Sequence, residues 1–317
     1  DLFSRLVVGQ STRYGALEVY PLFQQGDPSA NSAHLSTAYV LLADALAAGT
    51  ARVEEISEGG SVPTLRLIND GELPVLAFDG EELVGAKQNR ILSVTILAPA
   101  HASLNIPVAC VEQGRWRYKS RAFAASEDML FAKARAKKAR AVRASVARRA
   151  GPNADQGEIW SDIADKYAAF HVEGDTSAMS DVFEKRAAHI EGYEKTFTPS
   201  DGQIGAVFAL GGRIFGLDLV ERADICARLL PKLVRSYALD ALEREDDAAG
   251  DGSASFSLTD EALAAFIKAV AQAPAAASAA VGLGEDYRFD GREIEGGGLV
   301  HAGRALHVSA FAASELA

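Results

Sequence analysis

Short apolar runs separated by polar turns dominate the first third of the chain. Gly, Pro, Asn and Asp bound these runs, which is typical of β-strands. The runs fall at residues 17–23, 52–56, 64–68, 74–78, 90–97 and 103–111. One helix is predicted among them, over residues 36–48, with Ser36 as its N-terminal cap. Strands at this spacing favour an antiparallel β-sandwich or a barrel-like sheet.

The middle of the chain has helical chemistry instead. Residues 129–150 are rich in Ala, Lys and Arg, which are strong helix formers, and Gly151-Pro152 ends the run. Two further helices are predicted over residues 156–170 and 180–193. Asp155 and Glu158 have a capping-box-like spacing at the start of the first of these two.

Strand patterns return after residue 200. Apolar runs at 204–210 and 213–219 flank Gly211-Gly212, which predicts a hairpin because a two-residue turn needs positive φ. Helices are predicted over residues 223–243, with Pro231 as a kink or as the start of a second helix, and over 259–271. A polar loop at 245–255 and short strands over 277–311 complete the pattern.

Segregated runs of strands and helices predict the α+β class rather than a doubly wound sheet. We expect a single domain over residues 1–317. It has a β-rich part to about residue 125, a helical middle to about residue 200, and then the hairpin, helices and C-terminal strands.

Composition indicates the class of protein and the compartment in which it is expected. Hydrophobic residues make up 48% of the 317 positions and charged residues 24%, which is ordinary globular usage. The two cysteines, Cys110 and Cys226, lie far apart in sequence, as expected for free thiols in a reducing compartment. No stretch reaches the length of a membrane span, and the first residues lack a signal-peptide layout. A soluble, cytoplasmic protein is therefore expected.

Charge is unevenly distributed. The chain carries a net charge of −11, yet residues 115–149 contain twelve Lys and Arg residues and only two acids. A basic segment on an acidic protein predicts an anionic ligand or an acidic partner within the chain. The overall negative charge makes nucleic acid an unfavoured partner.

The first candidate site lies between two predicted strands, at residues 79–90. Glu81 and Glu82 are candidate general bases or metal ligands. Lys87 and Arg90 are candidate phosphate or carboxylate ligands, with Arg90 able to bind in bidentate fashion, and Gln88 and Asn89 stand beside them. The alternative is a charged hairpin held by local ion pairs.

The second candidate segment, residues 110–118, follows the next strand. Glu112 adds a third candidate acid or base. Gln113 and Arg115 are candidate ligand-binding residues, and Trp116 could stack on a base or sugar. In an antiparallel meander this segment would end near the first one. The alternative is a strand end whose aromatic residues pack on the sheet.

Other features carry less chemistry. Lys133, Lys137, Arg140 and Arg148 share one face of the basic helix, which suits a solvated face or an anion site. Asp218 stands in an apolar strand and would need a buried partner. The six histidines show no zinc-binding spacing, so no metal is predicted, and no nucleotide-binding glycine motif or nucleophile elbow is present. No cofactor is identified.

Several motifs occur together in chain order: GEELVGAKQNRILSVTILAPA, IPVACVEQGRWRY, DQGEIW, GQIGAVFALGGRIFGLDL and KLVRSYALDAL. In these the chain resembles the ARG-and-rhodanese-phosphatase-superfamily-associated protein domain, a bacterial family of unknown function, over roughly residues 10–312. The resemblance implies a role near NAD or ADP-ribose metabolism. It supplies no established catalytic residue.

Three hypotheses follow. In the first, the chain binds, and could hydrolyse, ADP-ribose or a related phosphorylated nucleotide: Lys87, Arg90 and Arg115 hold phosphates, Trp116 stacks, and Glu81, Glu82 or Glu112 acts as acid or base. In the second, the chain is a non-enzymatic interaction module or homo-oligomer, and the charged cluster is a structural ion-pair network. The third and weakest is RNA binding through the basic helix, Trp116 and Tyr118.

Overall fold

Two extended antiparallel sheets, with helices packed between and around them, organise the molecule. The computed structural model describes residues 3–25, 38–57, 59–248 and 258–316. Within these residues the helices are α1 (Leu42–Ala47), α2 (Ala132–Ala147), α3 (Gln156–Ala169), α4 (Met179–Thr196), α5 (Ala223–Ala248) and α6 (Asp260–Gln272). In that part of the chain, no helix has the length and apolar character needed to cross a membrane.

The N-terminal half forms a curled sheet in the strand order β12–β8–β9–β11–β6–β5. Its strands are β5 (Ala51–Glu55), β6 (Thr64–Asn69), β8 (Glu81–Gly85), β9 (Arg90–Leu92), β11 (Ala102–Cys110) and β12 (Phe123–Met129). A small sheet beside it joins β4 (Val40–Leu41), β7 (Val75–Ala77) and β10 (Ile96–Ala98), where β4 and β7 pair in parallel. Buried apolar residues such as Val53, Leu65 and Ile106 form one core cluster here.

The second sheet runs in the order β1–β3–β13–β14–β18–β17–β16–β15, with β2 also paired to β3. Its strands are β1 (Leu6–Val8), β2 (Thr12–Tyr14), β3 (Leu17–Gln24), β13 (Gln203–Leu210), β14 (Arg213–Val220), β15 (Ala275–Ala279), β16 (Glu285–Phe289), β17 (Ile294–His301) and β18 (Arg304–Ala312). The first and last strands of the chain thus belong to one sheet. The α+β prediction, with antiparallel sheets, a helical middle and strands at the C-terminus, is confirmed.

Local sequence signals explain several boundaries. Gly211 and Gly212 both have positive φ and join β13 to β14, which confirms the predicted hairpin. The carboxylate of Asp155 accepts hydrogen bonds from the backbone N–H groups of Gly157 and Glu158 and caps α3. Thr259 caps α6 in the same manner.

Other predicted boundaries differ from the structure. Pro231 lies inside α5, which continues as one helix to Ala248 and so takes up the start of the predicted loop at 245–255. Within residues 36–48, the described part begins at residue 38 and forms the short strand β4 before α1. Ser36, the predicted cap, lies outside the described residues, as do residues 249–257.

The basic helix α2 runs through the interior, and acidic residues of the chain pair with it. Arg135 is fully buried and bonds the carboxylate of Asp218 on β14 with Nη2–Oδ1 at 2.5 Å. Lys138, also fully buried, pairs with Asp79, and Arg143 pairs with Glu295 on β17 at 2.8 Å. The helical-wheel argument concerned Lys133, Lys137, Arg140 and Arg148, which are exposed or partly exposed, and it did not consider Arg135 or Lys138. The partner that Asp218 was expected to need is Arg135.

Candidate functional site

The two candidate segments meet in space at neighbouring strand ends. Strand β9 lies between β8 and β11, and the register places Arg90 opposite Leu83 on one side and Cys110 on the other. The backbone N–H of Asn89 donates to the carboxylate of Glu112 at 3.0 Å. Residues 79–90 and 110–118 therefore lie side by side, as expected for an antiparallel meander.

Arg115 links the two segments through hydrogen bonds. Its Nε and Nη2 donate to the two carboxylate oxygens of Glu112, both at 2.7 Å. Its Nη1 donates to the carbonyl of Ala86 at 2.7 Å. Burial opposes ionisation of Glu112, but the hydrogen bonds from Arg115 and from Asn89 outweigh it and hold the pKa of Glu112 below its usual range. Glu112 and Arg115 thus fix the shape of the 85–89 loop.

The amide residues of the cluster also reinforce this loop. The Gln88 side-chain amide donates to the carbonyl oxygen of Glu112 at 2.7 Å and, more weakly, to that of Gln113 at 3.4 Å. The Asn89 side chain accepts from Gly85 N–H and from Arg115. Gln113 is exposed and contributes its backbone to these contacts.

Glu81 is held by helix α5. One carboxylate oxygen accepts from Lys232 Nζ at 2.9 Å, and the other accepts from the backbone N–H of Phe78 at 2.9 Å. Lys232 also donates to the carbonyl of Ser126 at 2.8 Å. Lys232 thus pairs helix α5 with a strand of the curled sheet.

Glu82 lies in a different environment. It is only 1% exposed, and Asn89 donates to its Oε1 at 3.3 Å, while Oε2 has no hydrogen-bond partner among the described residues. Burial, reinforced by the neighbouring carboxylate of Asp128, raises the pKa of Glu82 to about 8. Glu82 is therefore mostly protonated at neutral pH and can hold or donate a proton.

Glu82 and Arg90 project from opposite faces of the sheet. Glu82 is paired with Ile91 and Arg90 with Leu83, and directly paired residues share a face. The two groups therefore serve different sides of the curled sheet.

Arg90 is the unusual member of the cluster. It is fully buried, and its Nη1 donates to Gln88 Oε1 at 3.1 Å and to the carbonyl of Asn89 at 3.4 Å. Within the described residues, Nε and Nη2 have no hydrogen-bond partner. These two nitrogens form the side-on fork of the guanidinium, which matches the two oxygens of a carboxylate or phosphate.

Elsewhere in the chain, carboxylates fill this same fork. Nε and Nη2 of Arg143 bond both oxygens of Glu295, and those of Arg288 bond both oxygens of Asp286. Arg115 does the same with Glu112. Buried polar groups are normally satisfied, so an unfilled fork at a fully buried arginine is an exception that needs a cause.

Further polar groups around Arg90 lack partners. Both carboxylate oxygens of Glu55 are buried without a hydrogen bond among the described residues. Burial lowers the pKa of Arg90, and the negative charge of Glu55 offsets part of that shift. The indole N–H of Trp160 faces the thiol of Cys110 and favours its charged form. Burial raises the pKa of the Cys110 thiol, so this cysteine is a weak nucleophile.

Two aromatic side chains, Trp116 and Tyr118, pack over Arg90 and Lys87. Trp116 is 49% exposed, and its ring centroid lies 5.8 Å from the Arg90 guanidinium carbon. Lys87 Nζ lies 5.2 Å from the Trp116 ring and 5.1 Å from the ring of Tyr118, which is 50% exposed. Lys87 also donates to the carbonyl of Gly59 at 2.8 Å. Exposed aromatic faces backed by cations suit the stacking of a base.

A groove of about 900 Å³ begins beside these aromatics. It is lined by residues 54–57, Arg66 and residues 118–121. Arg66, Lys119 and Arg121 give it basic side chains along one path, and Glu55 forms part of its wall. The groove is large enough for a nucleotide-sized molecule.

The family to which the chain belongs can be stated at this point. The model of the ARG and Rhodanese-Phosphatase-superfamily-associated Protein domain matches residues 5–311 of the 317. The chain belongs to this family. No curated protein and no solved structure matches the chain.

Within this member of the family, sequence reasoning found the Arg90 segment but missed Glu55 and Trp160. Ala51 and Val53 are buried on β5, and period-2 alternation places Glu55 on the same inward face, which was a usable signal. Trp160 lies one helical turn beyond Gln156, whose side-chain amide bonds both the N–H and the carbonyl of Cys110. The sequence alone contains no signal for that long-range contact.

Proposed function

We propose that this chain binds a phosphorylated, nucleotide-like ligand of the ADP-ribose or NAD type. The unfilled Nε–Nη2 fork of the fully buried Arg90 carries the proposal. A phosphate presents two oxygens at the spacing of that fork, and such charge-assisted pairs are stronger than neutral hydrogen bonds.

The surroundings of Arg90 support a nucleotide rather than a bare phosphate. Trp116 and Tyr118 offer exposed ring faces for a base, and Lys87 lies between them. The basic groove gives room for the rest of the molecule. Because Arg90 has no exposed surface, rotation of the half-exposed Trp116 would open the way to the fork.

The geometry favours binding over hydrolysis. Glu81 and Glu112 are held in ion pairs with Lys232 and Arg115. Glu82 has the protonation state of a general acid, but it projects from the other face of the sheet. The three carboxylates therefore do not surround the place where Arg90 would hold a phosphate.

The contacts of α2 favour the ligand hypothesis over the interaction module. Lys137 and Arg140, on the basic face of α2, pair with Asp162 and Glu158 of α3 in the same chain, so these charges are used internally. The two free, buried cysteines fit a reducing setting, and the bacterial cytoplasm is the proposed one.

Calorimetric titration with ADP-ribose, NAD and inorganic pyrophosphate tests the proposal. Wild type is expected to bind at least one of them. Arg90→Lys keeps the charge but loses the fork, so affinity should fall about 10- to 100-fold, as expected for the loss of hydrogen bonds between charged groups.

Arg292→Lys is the matched control because the Arg292 side chain is 87% exposed. It should bind as wild type does, and melting curves confirm that each variant is folded. Absence of binding to all three compounds, or equal affinity of wild type and Arg90→Lys, would overturn the proposal.

A further inference from the structure

The carboxylate of Glu55 lies near enough to Arg90 for its charge to act on the guanidinium, yet no hydrogen bond joins the two groups. Glu55 is nine-tenths buried, and neither oxygen has a hydrogen-bond partner among the described residues. A buried acceptor without a donor is costly, more so when it is charged. The cost is removed if a ligand supplies the donors.

The position of Glu55 relative to the aromatic cover is defined at Gly60. A β-carbon built on Gly60 would lie 3.3 Å from Glu55 Oε2, 3.2 Å from Lys87 Cδ and 3.5 Å from Trp116 Cζ2. One small volume therefore touches the carboxylate, the Lys87 stem and the Trp116 ring. Glu55 also lines the groove, so its carboxylate lies in the groove wall close to Lys87 and Trp116.

Charge decides which donors Glu55 can take. Arg90 and Lys87 are both cationic. Among the described residues beside them, Glu55 is the carboxylate whose oxygens lack a hydrogen bond, since Glu112 is bonded to Arg115. A cationic ligand group would be repelled by the two bases, and a second anion would be repelled by Glu55. A neutral hydroxyl group is repelled by neither the two bases nor Glu55. Two adjacent hydroxyl groups would donate hydrogen bonds to both carboxylate oxygens of Glu55.

We propose that Glu55 accepts hydrogen bonds from the vicinal hydroxyls of a sugar whose phosphate is held by Arg90. Carboxylates take ribose hydroxyls in this way in dinucleotide-binding sites of other folds. This assignment rests on the proposed function and sharpens it: the ligand is a ribose phosphate, and its 2′-deoxy form is discriminated against.

Titrations with ribose 5-phosphate, 2-deoxyribose 5-phosphate and inorganic pyrophosphate test the assignment. Wild type should bind ribose 5-phosphate about 10-fold more tightly than the deoxy sugar, as expected for one hydrogen bond to a charged group. Glu55→Gln keeps the shape but loses the charge, so the preference should shrink to about twofold or less. Its affinity for pyrophosphate should be unchanged or higher, because a negative charge beside the phosphate is gone.

Glu191→Gln is the control, since Glu191 is exposed on α4 and pairs with Lys195 one turn further along the same helix. It should retain the wild-type preference. The assignment is wrong if wild type does not discriminate between the two sugars, or if Glu55→Gln discriminates as wild type does. Should Glu55→Gln fail to fold, Glu55→Asp takes its place: it keeps the charge but draws the carboxylate back from the hydroxyls, so the preference should shrink in the same way, and an unchanged preference would overturn the assignment.

The two proposals fail in different ways. If no phosphorylated probe binds, the function proposed for Arg90 is wrong. If pyrophosphate binds through Arg90 but the sugar hydroxyls make no difference, only the role of Glu55 is wrong.

Discussion

At the residue scale, Arg90 and Arg115 are two buried arginines that differ in whether their guanidinium groups have hydrogen-bond partners. Arg115 fills its fork with Glu112 and donates to backbone carbonyls of the 85–89 loop. Arg90 is equally buried but leaves its fork unfilled. A side chain kept for binding need not favour stability, and binding sites commonly carry such a cost.

Stability measurements should separate these two roles. Arg115→Met leaves Glu112 as an uncompensated buried charge, so the free energy of unfolding should fall by about 3–5 kcal/mol. Arg90→Met removes a poorly satisfied cation, so it should cost less than half as much or stabilise the protein. Urea unfolding measures both. Equal losses would show that Arg90 is as structural as Arg115.

Glu82 should make stability depend on pH. The pKa of Glu82 is about 8 in the folded protein, against 4.5 for a solvated glutamate side chain in an unfolded chain. Between these values the unfolded state has released the proton and the folded state still holds it, so stability falls as pH rises. The contribution is fully lost above about pH 8.

Glu82→Gln removes this proton equilibrium. Its free energy of unfolding should therefore decline less steeply than that of wild type from pH 5 to pH 8, by up to about 1.4 kcal/mol per pH unit. Glu191→Gln, an exposed change on α4, should follow the wild-type slope in that window. Parallel curves for Glu82→Gln and wild type would refute the raised pKa.

At the element scale, helix α2 joins the two sheets through buried and partly buried ion pairs. Arg135 meets Asp218 on β14, Arg143 meets Glu295 on β17, and Lys138 meets Asp79 before β8. Helix α2 thereby fixes the curled sheet relative to the long sheet. A helix whose cations are used internally in this manner is a structural element first.

Breaking one of these pairs should be far more costly than breaking a surface pair. Asp218→Asn leaves Arg135 buried without its counterion and should lower the free energy of unfolding by about 3–5 kcal/mol. Asp70→Asn breaks the exposed pair with Arg52 and should cost less than about 1 kcal/mol. The double variant Arg135→Met/Asp218→Leu should recover much of the loss. Similar values for Asp218→Asn and Asp70→Asn would contradict the structural role of α2.

At the scale of the whole molecule, local signals were predictable and long-range ones were not. The Gly211-Gly212 hairpin and the Asp155 cap follow from a few adjacent residues. The approach of residues 81–90 to 112–116 followed from their places at consecutive strand ends. The burial of Arg135 and Lys138 did not, because helical periodicity does not say what lies opposite a charged residue.

The candidate site shows the same limit. Glu55 lies near Arg90 because strands β5 and β6 extend the curled sheet beyond β11. That strand order depends on contacts between distant parts of the chain. The sequence therefore identified the phosphate-binding candidate but missed the carboxylate beside it. Gln156 and Trp160 come from a helix predicted correctly, but their contact with the Cys110 strand was not predictable.

A crystal structure of the protein with bound ADP-ribose would test the central claim most directly. The predicted result places two oxygens of one phosphate within about 3.2 Å of Arg90 Nε and Nη2, with Trp116 turned away from its present position. A structure in which the ligand occupies another surface while the Arg90 fork stays as it is here would contradict the account.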